Sequence, residues 1–238
     1  MASTHTVSLE HEDKSLKGRI SIPANSGTHS AVLIVPTAVG MSEHEFGQAR
    51  RLTEQGYVAL VADMYGEGIH HTDPSAAGPD MAALLAAPQT LRGRVVAWYE
   101  LLKSRSEVES TRVAAIGYCF GGKCVLELAR SGADVKAVAS FHGLLTTALP
   151  AAPGAIKAEV AVYTGTKDPF APRADVDTLR QELTAAGARW QITEYGEASH
   201  AFTEPHASSY GRAGIAYEAL AASTSWAATL ALLNATIG

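Results

Sequence analysis

The sequence feature that most limits the possible folds is a regular alternation of short apolar runs with longer segments of helical period. The apolar runs, which are rich in valine, isoleucine and alanine, predict strands at 31–35, 57–62, 112–116, 135–141 and 159–163, with a further strand at 189–195. Helices are predicted at 43–55, 81–104, 120–130, 172–186 and 210–234. Continuous apolar strands alternating with helices are typical of a parallel sheet that is covered on both faces. The sequence therefore predicts an α/β fold with a mostly parallel sheet and helices on both faces.

Two further segments complete the predicted organisation. Residues 6–9 and 18–22 favour an antiparallel pair around the polar segment 10–17, and the glycines and prolines of 63–79 favour a long surface loop. No repeat or linker divides the 238 residues. We therefore expect one domain over 1–238, a size that single α/β domains often reach.

Composition excludes several classes of function. Charged residues make up 18% of the chain and the net charge is −5, so no basic surface for nucleic acid is expected. We expect no secretory signal at the N-terminus, and no apolar run reaches the roughly 18 residues that a membrane span needs, the closest being 226–233. We expect a cytoplasmic protein with no membrane partner. Cys119 and Cys124 are expected to be free thiols, because five helical positions separate them by about 8 Å.

The motif that carries chemistry is Gly-Tyr-Cys-Phe-Gly-Gly at 117–122, between the strand at 112–116 and the helix at 120–130. It has the pattern of a G-x-S-x-G nucleophile elbow with Cys119 in the place of serine. A sharp strand-to-helix turn requires small neighbours at Gly117 and Gly121. The start of the helix favours a thiolate, and the Phe120 backbone N–H is suited to bind an oxyanion.

An acid and then a histidine should follow such a nucleophile along the chain. Asp168 follows the strand at 159–163, and His200 follows the strand at 189–195. The carboxyl ends of parallel strands lie at one edge of the sheet, where open α/β sheets keep their active sites. The order Cys119, Asp168, His200 therefore predicts a catalytic triad.

Further motifs lie at 33–40, Gly56-Tyr57, 63–66, Gly165-x-x-Asp168 and Ser199-His200-x-Phe202. Together with the nucleophile elbow, these motifs resemble those of the dienelactone hydrolase family of the α/β-hydrolase superfamily. The resemblance covers nearly the whole chain, and the cysteine elbow is its most specific part. It implies that Cys119 is the nucleophile, His200 the base and Asp168 the group that orients His200. It also implies that the Ala38 N–H is the second oxyanion donor beside Phe120, and that no cofactor is needed.

Two positions depart from the family pattern. Thr37 stands where dienelactone-cleaving members have a glutamate, for which Glu43 or Glu45 could substitute, and Glu204 stands where they have an arginine for the substrate carboxylate. An acid there would repel a carboxylate. We expect a neutral ester or lactone as substrate, and the site is also compatible with a neutral phosphotriester.

Thr37, Tyr118, Phe202 and His142 are candidates for lining the substrate pocket, although buried aromatic residues beside strands belong more often to the core. His70, His71 and Asp73 have metal-ligand side chains, but their spacing matches no zinc signature and no metal is expected. The rival hypothesis is a protein without catalysis, which either binds a ligand or uses Cys119 as a redox sensor. The natural substrate and the oligomeric state stay open.

Overall fold

The structure is a computed structural model and describes residues 2–73 and 76–238. The strands are β1 Ser3–His11, β2 Lys14–Ile22, β3 His29–Val35, β4 Val58–Val61, β5 Val108–Tyr118, β6 Ala137–Phe141, β7 Glu159–Gly165 and β8 Arg189–Tyr195. The helices are α1 Glu43–Glu54, α2 Gly78–Ala86, α3 Pro88–Lys103, α4 Phe120–Arg130, α5 Arg173–Ala185 and α6 Ala219–Ile237. Each predicted strand is present.

One eight-stranded sheet runs through the molecule in the order β1-β2-β4-β3-β5-β6-β7-β8. β1 and β2 are antiparallel, as the opening pair predicts, and β3 to β8 are parallel to one another. The carboxyl ends of these six strands consequently share one edge of the sheet. The prediction of a mostly parallel sheet is confirmed.

The sheet is buried on both faces because its central strands have long apolar runs, such as 31–35 in β3 and 113–116 in β5. In β3, Ala31, Leu33 and Val35 face a core that α3, α4 and α5 cover, whereas Val32 and Ile34 face a second core. That second core is covered by α1 and α6. This is the α/β-hydrolase arrangement that the sequence predicts, with helices on both faces.

The predicted helix at 81–104 is wrong in its extent, because the structure has α2 and α3 with a break at Ala87. Pro88 lacks an N–H and disfavours helical geometry in the residue before it, and Ala87 has φ −121° and ψ 70°. The predicted loop at 63–79 ends in the first residues of α2, and its residues Pro74 and Ser75 lie outside the described part of the chain.

The predicted helix at 210–234 is also wrong at its start. A short 3-10 helix, Ala207–Tyr210, ends at Gly211, which has φ 63°, and Gly214 has φ 78°. α6 begins only at Ala219, where the Glu218 carboxylate accepts hydrogen bonds from the first backbone N–H groups of the helix. The helix α6 has 19 residues, and its 18-residue window with a mean hydropathy of 1.2 satisfies the length and composition of a membrane span, as the core helix of a globular fold also can.

Candidate active site

The turn between β5 and α4 holds Cys119 in a strained backbone conformation. Cys119 has φ 53° and ψ −115°, and α4 begins at the next residue. A Cβ atom on Gly117 would lie 2.1 Å from the Gly121 carbonyl oxygen, and one on Gly121 would lie 2.0 Å from the Val35 carbonyl oxygen. Only glycine fits at these two positions, so the two glycines permit the tight turn that projects the Cys119 side chain from the edge of the sheet.

Three side chains from three separate loops meet at this edge. His200 Nε2 lies 3.1 Å from Cys119 Sγ, and His200 Nδ1 lies 2.8 Å from Asp168 Oδ2. Asp168 and His200 are buried, whereas Cys119 is partly exposed. The order nucleophile, imidazole, carboxylate is the geometry in which a base withdraws a proton from a thiol while a carboxylate fixes its tautomer.

Backbone contacts hold the acid and the imidazole in place. The Phe170 N–H donates to Asp168 Oδ1 at 2.8 Å, which leaves Oδ2 for His200. The His200 N–H donates to the Gly214 carbonyl at 2.9 Å, and the Ala216 N–H donates to the His200 carbonyl at 3.1 Å. His200 is thus anchored on both sides by the segment that precedes α6.

The charges around His200 favour its protonated form. Burial alone would lower the pKa of His200, but the Cys119 sulfur and the Asp168 carboxylate together raise its pKa to about 10. A proton on this imidazole is therefore retained at neutral pH when the sulfur beside it is negative.

Two loop amides border the position of the nucleophile. Phe120 is the first residue of α4, so its N–H has no partner within the helix. In the loop after β3, the Thr37 N–H donates to Glu45 Oε1 at 3.2 Å, and the Ala38 carbonyl accepts from the Tyr65 hydroxyl at 2.9 Å. Within the described residues the Ala38 N–H has no partner, and Ala38 lines the cavity beside Cys119.

Glu45 of α1 contacts the loop after β3 through its hydrogen bond with the Thr37 N–H. Its carboxylate is buried and also accepts from the Ser42 N–H at 3.0 Å and from the Ser42 hydroxyl at 2.6 Å. Glu43, the other residue that could replace the family's glutamate, is exposed on α1 and pairs with Arg50. Of the two, Glu45 is therefore the residue that contacts the loop of Thr37 and Ala38.

A cavity of about 630 Å³ opens in front of Cys119 and His200. Thr37, a predicted pocket residue, lines it, as does Glu204. The larger side chains that sequence reasoning missed include Met81, Leu144, Phe170, Tyr210, Arg212 and Ile215. Phe170 had a signal, because it lies two residues after Asp168. Arg212 places a cation at this cavity that the sequence analysis did not anticipate.

The placement of Tyr118, Phe202 and His142 in the pocket is wrong. Tyr118 stacks on Phe141 in the core beneath α1 and α6, and it lines a different cavity, of about 750 Å³. Phe202 is buried in the same core, because Ala201, with φ 58°, turns the chain after His200. His142 is fully buried behind the nucleophile, where its Nδ1 accepts from the Cys119 N–H at 3.2 Å.

The second cysteine is isolated from this site. Cys124 is a free thiol buried within α4, and burial raises the pKa of that thiol strongly. An inaccessible protonated thiol does not act as a resolving partner for Cys119. Across residues 2–73 and 76–238, no group of three or more histidine, cysteine or carboxylate side chains forms a metal-binding cluster.

Comparison with known proteins shows the family to which the chain belongs. The model of the dienelactone hydrolase family matches residues 16–237. A solved structure named m3DLH is 34% identical, with a TM-score of 0.93 over 100% of this chain and 99% of that one. The crystal structure of a dienelactone hydrolase-like promiscuous phosphotriesterase from metagenomic libraries is 32% identical, with a TM-score of 0.94 and the same coverage.

A relative from Yersinia pestis, whose name assigns it provisionally as a carboxymethylenebutenolidase, is 28% identical over 199 residues, or 78% of this chain and 73% of the relative. The family match spans nearly all of the sheet and all three loops that meet at Cys119. The chain belongs to the dienelactone hydrolase family and is a hydrolase.

Proposed function

We propose that this hydrolase cleaves neutral esters and lactones through a covalent thioester on Cys119. The observation that carries the proposal is the pair of contacts made by His200, 3.1 Å to Cys119 Sγ and 2.8 Å to Asp168 Oδ2. In that arrangement, His200 takes the thiol proton and Asp168 stabilises the imidazolium that results.

The reaction follows from these positions. The thiolate attacks the carbonyl carbon, and the N–H groups of Phe120 and Ala38 stabilise the oxyanion. The tetrahedral adduct expels the alcohol, which receives the proton from His200, and leaves a thioester. His200 then takes a proton from water, which attacks the thioester and releases the acid and the thiol. Thiolates suit activated esters and lactones, and the cycle calls for no cofactor.

The charge of the cavity supports a neutral substrate. Glu204 lines the cavity next to the nucleophile, where it opposes a substrate carboxylate. Arg212 contributes the opposite charge but is exposed, and the remaining lining is mainly apolar. A substrate without net charge meets the smallest electrostatic penalty in such a site.

A second candidate activity is hydrolysis of neutral phosphotriesters. It is favoured by the full-length likeness to a promiscuous phosphotriesterase, at 32% identity and a TM-score of 0.94. The same thiolate would attack phosphorus and expel an aryloxide, forming a phosphorylated Cys119. Whether that adduct turns over decides between a phosphotriesterase and an esterase that organophosphates inactivate.

The first experiment compares a chromogenic aryl ester with a chromogenic phosphotriester, following release of the phenol and the intact mass of the protein. Repeated turnover of the ester by the wild-type protein, lost in Cys119→Ala and His200→Ala, is the expected result. Repeated turnover of the phosphotriester would establish the second activity. One equivalent of phenol with a permanent mass increase would limit the activity to esters.

Cys124→Ala is the matched control, because it removes the other thiol of the chain without touching the cavity. It should retain ester hydrolysis. Ester turnover that survives Cys119→Ala, or that disappears only in Cys124→Ala, would contradict the proposed nucleophile. A protein that binds the ester without cleaving it would support the ligand-binding alternative.

A further inference from the structure

The phosphotriesterase activity proposed above poses a geometric problem that ester hydrolysis does not. A phosphorylated Cys119 is hydrolysed when water attacks phosphorus in line with the departing sulfur, from the opposite side. His200 Nε2 lies 3.1 Å from Sγ itself and is therefore beside the leaving atom. An attacking water on the far side of phosphorus needs a different proton acceptor.

Glu204 is a carboxyl group on the wall of the same cavity. Its backbone is tied closely to the triad, because the Glu204 N–H donates to the Ala201 carbonyl at 2.9 Å and closes a turn directly after His200. The cavity of about 630 Å³ is lined by Cys119, His200 and Glu204 together. Glu204 therefore lines the cavity that contains the reacting centre, from a chain position distinct from that of the imidazole.

The hydrogen bonds of Glu204 leave its carboxyl group weakly held. Its one hydrogen bond within the described residues comes from the Tyr210 hydroxyl, at 3.3 Å to Oε2. Glu45, the nearby carboxylate on α1, has three donors, from Thr37 and Ser42. When two carboxylates repel each other, the one with fewer donors takes up the proton. That residue is Glu204.

Its surroundings set the pH range in which it exchanges a proton. Burial, and then the negative charge of Glu45, raise the pKa of Glu204 to about 7, whereas Tyr210 and His200 act in the opposite direction. The other charged groups that line the cavity are Arg212 and Asp73. A group with a pKa near the working pH is the most effective proton-transfer catalyst, because both of its forms are populated.

We propose that Glu204 is the proton acceptor for the water that hydrolyses a phosphorylated Cys119. The water oxygen forms a bond to phosphorus, its proton passes to the Glu204 carboxylate, and the phosphorus–sulfur bond breaks with its electron pair retained by sulfur. The thiolate reforms beside protonated His200, the phosphodiester leaves, and Glu204 returns its proton to solvent. The net reaction consumes one water and needs no other reactant.

Ester hydrolysis makes a smaller demand on Glu204. A thioester carbon is planar, so water attacks from a face of the carbonyl rather than from the side opposite sulfur, and the imidazole can assist it. The two substrates should therefore separate the two proton acceptors. Loss of Glu204 should slow release of the phosphoryl group far more than release of the acyl group.

The test measures both substrates and the intact mass of the protein during turnover in the wild type, Glu204→Gln and Asp73→Asn. The Gln variant is expected to lower steady-state phosphotriester turnover by about 10²-fold or more, within the usual range for general base catalysis. The mass of the phosphorylated protein should accumulate in that variant. In Glu204→Gln, the loss of ester turnover should be at least tenfold smaller than the loss of phosphotriester turnover. Glu43→Gln is the control, because Glu43 is an exposed acid of α1, and it should match the wild type on both substrates.

A second variant keeps the proposal open to test even if the Gln variant is unstable. Tyr210→Phe removes the hydrogen bond that favours ionised Glu204, so the pH at which phosphotriester turnover reaches half its maximum should rise. The proposal would be overturned if Glu204→Gln lost turnover of both substrates equally or did not accumulate the adduct. It would also be overturned if the selective loss occurred in Asp73→Asn instead, since Asp73 is the other carboxylate that lines the cavity. Absence of any adduct in a protein that still needs Cys119 for esters would do the same. Turnover that survives Cys119→Ala would instead overturn the proposed nucleophile.

Discussion

The backbone N–H of Cys119 is shared between the Phe141 carbonyl at 3.0 Å and Nδ1 of His142 at 3.2 Å, so Nδ1 of the imidazole behind the nucleophile is an acceptor and carries no proton. The other nitrogen, Nε2, lies 2.8 Å from the Thr203 hydroxyl and carries the ring proton. His142 is fully buried and has φ 39°, a conformation that only surrounding contacts maintain. Protonation of Nδ1 would remove the contact between His142 and the Cys119 N–H and leave that N–H with the Phe141 carbonyl alone.

This relationship predicts loss of stability in acid. Burial, and then the charges of His200 and His44, lower the pKa of His142 well below its ordinary value of 6.5. Below about pH 6.5 the unfolded chain binds a proton that the folded chain does not, so the free energy of unfolding falls as the pH drops, by at most about 1.4 kcal/mol per unit. Urea unfolding at a series of pH values should show a shallower slope in His142→Gln. His206→Gln, at an exposed position, is the control, and an unchanged slope in His142→Gln would count against this origin.

The contact between His200 and the Cys119 sulfur predicts a second dependence of stability on pH, which follows the protonation of His200. The pKa of His200 is raised to about 10, against an ordinary 6.5, so its contribution to stability is fully present below about pH 6.5 and is lost as the pH rises through about 10. Because the Cys119 sulfur is the largest cause of the increase, Cys119→Ala should lower the pKa of His200. NMR titration of the imidazole in the two proteins measures the shift directly. The same midpoint in both would show that the sulfur does not stabilise the imidazolium.

Because α4 approaches the end of β3 closely, a methyl group added at Gly121 should strongly lower the free energy of unfolding. A Cβ atom on Gly121 would meet the carbonyl oxygens of Val35 and Pro36 at 2.0 and 2.6 Å, and both are backbone atoms that cannot rotate away. Gly121→Ala should destabilise the fold by about 1–3 kcal/mol or more and displace the loop that carries Ala38. Gly47→Ala is the matched control. Its nearest neighbour would be the mobile Arg50 side chain at 3.6 Å, so it should stabilise α1 by roughly 0.5–1 kcal/mol. Equal unfolding midpoints for the two variants would contradict this explanation.

The meeting of Cys119, Asp168 and His200 could be predicted because each residue follows a strand of the parallel sheet, in the chain order of a nucleophile, an acid and a histidine. The pocket could not be predicted in the same way. Its missed residues Tyr210, Arg212 and Ile215 come from a segment that was expected to be helical, and the positive φ angles of Gly211 and Gly214 redirect that segment to the cavity.

Tyr118 had a signal that could have corrected its placement. Side chains alternate along a strand, and Ala114, Ile116 and Tyr118 of β5 all face the core under α1 and α6. Adjacency to the nucleophile favours the pocket, but strand alternation decides which face the ring occupies. The position of Phe202 could not be corrected in this way. The direction of its ring depends on the left-handed backbone conformation of Ala201, which the pattern of apolar residues does not predict.

The contact between Glu45 and the loop after β3 gives the last prediction. Glu45 accepts from the Thr37 N–H at 3.2 Å, and the next residue is Ala38, whose N–H is proposed to bind the oxyanion. Glu45→Ala removes that acceptor and frees the loop. Misplacement of one oxyanion donor should lower kcat for esters by about tenfold, with little change in KM, because the donor acts mainly in the transition state.

Ser42→Ala separates this effect from the helix cap that Glu45 also makes. It removes the hydroxyl that donates to Glu45 Oε2 and caps α1, but it leaves the contact between Glu45 and Thr37 in place. It should lower stability by about 1 kcal/mol and leave most of kcat. Equal losses of kcat in the two variants would mean that the cap, and not the contact with Thr37, holds the oxyanion loop. A fall in kcat confined to Glu45→Ala would mean that this buried carboxylate positions the Ala38 amide.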